Sequence, residues 1–112
     1  MAQMEVADLI TEEAVYEQLK EVVDPEIQID VVNLGMIYGV QIAPMDESGQ
    51  RVTVRMTLTT MGCPAMEELQ YEIRRRVEDL GAKDVVIDLT FDPPWTKEMM
   101  SEEAKAVFRY LF

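Results

Sequence analysis

The most constraining stretch of this chain lies between Val52 and Phe91, where a strand pattern, a helix pattern and a second strand pattern follow one another. Val52, Val54, Met56 and Leu58 alternate with Thr53, Arg55 and Thr57, the period-two signature of a strand with one buried face. Gly62, Cys63 and Pro64 interrupt it. Met66, Leu69, Ile73, Val77 and Leu80 then recur at the three- and four-residue spacing of a buried helical stripe, which Gly81 stops. Residues 85–91 form an apolar run broken only by Asp88 and Thr90. Two strands joined through a helix in one sheet are parallel, because the chain must cross back before it can pair again.

The flanking segments complete the fold. Strand-like residues 36–42 precede the polar, turn-forming segment Pro44-Met45-Asp46-Glu47-Ser48-Gly49-Gln50, so the first two strands are predicted to form an antiparallel hairpin. Upstream, Thr11 can cap a helix that opens with Glu12 and Glu13 at the positive end of its dipole. Its stripe is Val15, Leu19, Val22 and Val23, and Pro25 is expected to end it. At the other end, Ser101 can cap a helix over 102–111 with Val107, Phe108 and Leu111 on one face. The predicted order is α-β-β-α-β-α: a small α/β (α+β) domain with a mixed three-stranded sheet and helices mainly on one face. Residues 1–112 are expected to be one domain, with its core at about 11–111.

Composition narrows the function classes. At 48% hydrophobic and 29% charged residues the chain is globular rather than disordered. Its 22 acidic and 10 basic residues give a net charge of -12, a field that repels phosphate backbones and anionic lipid headgroups. Neither nucleic acid nor membrane is therefore expected as a partner. The first ten residues carry Glu5 and Asp8 and no basic leader, and no run reaches the ~20 apolar residues of a membrane span, so a cytoplasmic location is expected. One cysteine rules out an internal disulfide or a CxxC pair. The absence of histidine excludes Cys-His and Ser-His-Asp hydrolases and removes the commonest metal ligand.

Chemistry concentrates at the strand–helix junction Thr59-Thr60-Met61-Gly62-Cys63-Pro64. Cys63 falls in the N-cap region and Pro64 at the first helical position, where a missing N–H has no consequence. Unpaired backbone N–H groups and the helix dipole favour the thiolate, which is both the nucleophile and the soft-metal ligand of cysteine chemistry; Glu67 and Glu68 oppose this from one turn on. Gly62 permits close backbone approach. The alternative is that Cys63 is a small buried hydrophobe and that Thr59 and Thr60 only shape the turn. A second segment, Asp24-Pro25-Glu26-Ile27, presents two carboxylates around a rigid proline; it reads as a cation or hydrogen-bonding site, or as an ordinary capped turn. A third, Asp92-Pro93-Pro94-Trp95-Thr96, reads first as a stiff connection with Trp95 as a core lid.

These segments, together with Val32-Asn33-Leu34-Gly35-Met36-Ile37-Tyr38 and the continuation Lys97-Glu98-Met99-Met100-Ser101, resemble the signature of the metal-sulfur cluster assembly factor family, the SufT and PaaD-like proteins, over about residues 11–111. The resemblance implies an iron-sulfur cluster assembly domain that helps assemble clusters or deliver them to client proteins. It implies Cys63 as the cluster or metal ligand, with Asp24, Glu26, Thr59, Thr60 and Gly62 in support and no catalytic residue. Client apoproteins or other assembly factors are the implied partners. The chain ends at Phe112 without the cysteine-rich extension common in PaaD-like members.

A cluster normally takes four thiolates and this chain supplies one, so a monomer is not expected to hold a cluster stably. A transient cluster is expected instead, completed by a second chain as a homodimer, by a client or by a small thiol; an adaptor that never touches the cluster is the other arrangement. Two further readings stand beside this one. The first is a non-catalytic interaction module, or a PaaD-like accessory protein of aromatic degradation. The second is a thiol enzyme using Cys63 with Asp24 or Glu26 as base, which lacks both histidine and a resolving cysteine.

Overall fold

The computed structural model describes residues 9–25, 27–45, 49–58 and 66–111. Within them the chain forms α1 (Glu12–Leu19), β1 (Ile37–Pro44), β2 (Gln50–Met56), α2 (Met66–Glu78), β3 (Asp84–Leu89) and α3 (Glu102–Leu111), with a short 3-10 helix at Lys97–Met99 before α3. The strands lie in the order β1-β2-β3. β1 runs antiparallel to β2, with Val40 opposite Val54, and β2 runs parallel to β3, with Val54 opposite Ile87. The mixed sheet and the right order of elements follow from the hairpin and the crossover read in the sequence.

The alternation in β2 decides which face is covered. Val52, Val54 and Met56 are fully buried, with Val85 of β3 and Val40 of β1 beside them. Leu69, Ile73 and Val77 of α2 and Val15 and Leu19 of α1 complete this core from the helix side. On the opposite face Arg51 sits in register with Asp84 and Arg55 with Asp88, and both pairs form ion pairs, at 2.8 and 3.9 Å. Such exposed pairs contribute only about 0–1 kcal/mol each, yet a slip of one residue would separate both and turn the valines to solvent.

Local chemistry ends the helices. The Thr11 hydroxyl accepts the Ala14 N–H at 3.1 Å, and the Ser101 hydroxyl accepts that of Ala104 at 3.1 Å, as their cap positions predict. Beyond α2, Gly81 adopts φ +102, the left-handed conformation that stops a helix.

Several boundaries differ from the sequence reading. α1 stops at Leu19, well before Pro25: the N–H groups of Glu21 and Val22 bond back only three residues, to Gln18 and Leu19, and Val23 then pairs with Asp30 in an isolated antiparallel bridge. β-branched Val22 and Val23 favour this extended path. Val22 is buried, but Val23 is 49% exposed and leaves the predicted stripe. β3 ends at Leu89, so Phe91 lies outside the strand and is exposed. In α3, Phe108 is half-buried while Val107 is exposed, because only the first turn, through Ala104, is covered by the body of the protein. Trp95 does act as a lid, half-buried against the core.

Candidate functional site

The connectivity of the sheet brings four chain segments to one end. β2 and β3 are parallel and finish together, with the Thr90 N–H bonded to the Met56 carbonyl at 2.9 Å. At the same end the Thr57 N–H reaches the Met36 carbonyl at 2.8 Å, joining the end of β2 to the turn before β1. The chain leaves the sheet after Leu58, which is 3% exposed, and is next described at Met66, the first residue of α2. The carboxyl ends of parallel strands facing a helix start are where open α/β sheets place ligands. The predicted residues Thr59, Thr60, Gly62 and Cys63 belong to this connection and lie outside the described residues, as does Pro64.

A strap made of residues 90–101 closes one side of this end. The Trp95 indole Nε1–H donates to the Leu34 carbonyl at 2.7 Å, the Tyr38 hydroxyl donates to the Pro93 carbonyl at 2.6 Å, and the Ser101 N–H donates to the Asn33 carbonyl at 2.8 Å. Asp30 holds the turn from the other side, its carboxylate accepting the Asn33 backbone N–H at 3.0 Å and side-chain amide at 2.7 Å. Two of the sequence segments singled out above, around Asn33-Leu34-Gly35 and around Pro93-Pro94-Trp95, are thus a single structural unit.

Asp24 sits at the corner after α1, only 1% exposed. One carboxylate oxygen accepts the Ile27 N–H at 3.3 Å, its carbonyl accepts the Gln28 N–H at 2.7 Å, and its own N–H donates to the Ile29 carbonyl at 3.0 Å. Those bonds carry Gln28 into the left-handed region at φ 66. The capped turn foreseen for Asp24 is therefore present, made by a carboxylate that has left bulk water. Glu26, its predicted companion, lies outside the described residues. The corner faces α2: Val23 and Pro25 line a cleft of about 270 Å³ together with Glu68, Leu69 and Glu72. The Asp24 corner and the opening turns of the helix that follows Cys63 in the sequence are neighbours.

Sequence reading missed two residues here. Thr57 alternates with buried valines and was expected to face solvent, yet it is fully buried and its hydroxyl has no hydrogen-bond partner among the described residues. Arg74, which lies off the buried stripe of α2, donates through Nη1 to the Val85 carbonyl on the outer edge of β3. Neither role has a local sequence signal, since each depends on what another segment brings alongside. Among the described residues no group of three or more His, Cys, Asp or Glu side chains is arranged to hold a metal ion, and no helix is long and apolar enough to cross a membrane.

Comparison with known proteins supplies the context. Residues 12–89 match the profile of a family described as "Iron-sulfur cluster assembly protein". A "Fe-S protein maturation auxiliary factor" of Porphyromonas gingivalis is 45% identical over 104 residues, covering 92% of this chain and 95% of that one. The "Fe-S protein maturation auxiliary factor SufT" of Staphylococcus aureus is 41% identical over 85 residues, 75% of this chain and 92% of the other. Among solved structures, a conserved hypothetical protein of Thermotoga maritima superposes with a TM-score of 0.75 at 39% identity, covering 90% of this chain and 96% of that one.

Proposed function

Since the chain belongs to the iron-sulfur cluster assembly protein family, we propose that it is a maturation factor that assembles iron-sulfur clusters or delivers them to client proteins through Cys63. The observation that carries this reading is the reach of the family match, which extends from α1 to β3 and so spans the Asp24 corner, the end of β2 and the connection that holds Cys63. Similarity at full length to proteins named as maturation factors supports an assembly role over catalysis.

The cluster is cargo, and ligand counting sets how it is handled. One thiolate and no histidine leave a single chain short of the four ligands a cluster takes, and carboxylates such as Asp24 or Glu26 are harder, weaker partners for these irons. A cluster contacted by Cys63 is completed by the client, by a small thiol or by Cys63 of a second copy, and is labile for that reason. Lability suits delivery. The proposed setting is the cytoplasm, where a lone thiol stays reduced.

The test is anaerobic loading of an apo client with iron and sulfide, comparing the natural chain with Cys63→Ser. Serine is close in size and itself a good helix cap, so thermal unfolding should move little while loading falls to the level without the factor. Normal loading by the Ser variant would remove Cys63 from the function; normal loading together with a large loss of stability would assign it to packing.

A further inference from the structure

A second surface stands out for its charge. In a chain with 22 acidic and 10 basic residues, every cation could find a carboxylate, and most do. Among the described residues, Lys20, Arg51, Arg55, Arg75, Arg76 and Lys105 are in ion pairs. Four are not: Arg74, which donates to the Val85 carbonyl, Lys83, beside Gly49 at the β1–β2 turn, and Lys97 and Arg109, which both line one groove of about 560 Å³ between the 3-10 helix and α3. Lys97 lies over the Phe108 ring, its Nζ 5.2 Å from the centroid, and Arg109 Nε donates only to the Lys105 carbonyl, at 3.4 Å. The groove also holds two carboxylates, Glu98 and Glu102, and both are already occupied by Lys105, at 3.4 and 3.6 Å. Its floor is apolar: Met100 is buried and Phe108 half-buried.

We propose that this groove is a docking surface for an acidic segment of a partner protein, its carboxylates met by Lys97 and Arg109 and a neighbouring apolar side chain seated on Phe108 and Met100. Charge complementarity selects this occupant. Without a shared cluster to bridge them, two copies of net charge -12 repel one another, so a second copy is disfavoured as the occupant of this groove. A partner of basic net charge is drawn in by the overall field, and an acidic segment of it that fits only where the local charge is inverted fixes the orientation in which it docks. Screening confines that local preference to roughly 8–10 Å at physiological salt, so it acts on groups seated at the groove and not on the partner as a whole. This inference stands independently of the role of Cys63.

The experiment is selection of random 12-residue peptides on the intact chain, followed by fluorescence anisotropy of the enriched sequences on the natural chain, on Lys97→Glu/Arg109→Glu and on the milder Lys97→Gln/Arg109→Gln. Both residues are exposed, and circular dichroism checks that each variant is folded. The expected result is enrichment of peptides with Asp or Glu beside an aromatic or aliphatic residue, bound at least about tenfold more weakly by the charge-reversed chain and more weakly at high salt. Enriched peptides lacking acidic residues, binding unchanged by the substitutions, or no enrichment over an uncoated control would each overturn the proposal. So would sedimentation showing a dimer that the charge reversal dissociates, since the occupant would then be a second copy.

Discussion

The Met99 carbonyl oxygen occupies the space a side chain on Gly35 would fill: a Cβ placed on Gly35 would lie 2.2 Å from that oxygen. Gly35 also sits at φ +79, where L side chains are strained, so two independent constraints hold glycine at this position. Gly35→Ala should therefore lose about 1–3 kcal/mol from backbone conformation alone, and more because the strap carrying Met99 must move away. Urea unfolding measures it. A loss no larger than the backbone cost of about 1–3 kcal/mol would show that the strap does not pack here in solution.

Trp95 tests the same contact from the other side. Its indole N–H is the hydrogen-bond partner of the Leu34 carbonyl, and Trp95→Phe keeps an aromatic lid while removing the donor. The expected loss is about 1–3 kcal/mol, the range for leaving a poorly solvated polar group unpaired. Trp95 is the only tryptophan in the sequence, so in the natural chain its fluorescence follows strap docking directly. Fluorescence and circular dichroism transitions should coincide; a strap signal that melts first would make residues 90–101 a separate unit.

Thr57 predicts a gain. A fully buried hydroxyl without a partner carries a desolvation cost of about 1–3 kcal/mol, which Thr57→Val removes with little change of shape. Thermal unfolding should rise by a few degrees, the shift expected for about 1 kcal/mol in a chain of this size. A fall would mean that the hydroxyl has a partner in solution that the described residues do not supply.

Ligand counting predicts the mass of any cluster-bound form made from this protein alone. After anaerobic reconstitution without added thiol, light scattering should give two chains per cluster, each contributing Cys63 with carboxylates filling the remaining two positions, and chelation of the iron should return monomers. A stable monomer with full iron and sulfide content would refute the shared cluster.

The α-β-β-α-β-α order, the hairpin, the parallel crossover and the faces of β2 and α2 were legible in the sequence, because each rests on a short-range period: Val52, Val54 and Met56 at two, Leu69, Ile73 and Val77 at three to four. Caps at Thr11 and Ser101 were legible for the same reason, since a cap and its N–H partner lie within three residues. The end of α1 was not. Pro25 forbids helix beyond a point but does not say how early tertiary structure stops it, and the bridge between Val23 and Asp30 stops it at Leu19.

Contacts between distant segments belong to the tertiary structure alone. Trp95 and Leu34 are 61 residues apart, and nothing local in either tells that one will donate to the other's carbonyl. The same holds for the burial of Thr57, which the strand period assigns to solvent, and for the groove that gathers Lys97, Phe108 and Arg109. For the candidate site, the sequence by itself determined that one thiol stands between a strand and a helix, since that is a matter of order along the chain. Only the fold brought the Asp24 corner to the opening turns of α2, because α1 and α2 must bury their apolar stripes against the same sheet face, and side-by-side packing there places the end of one near the start of the other.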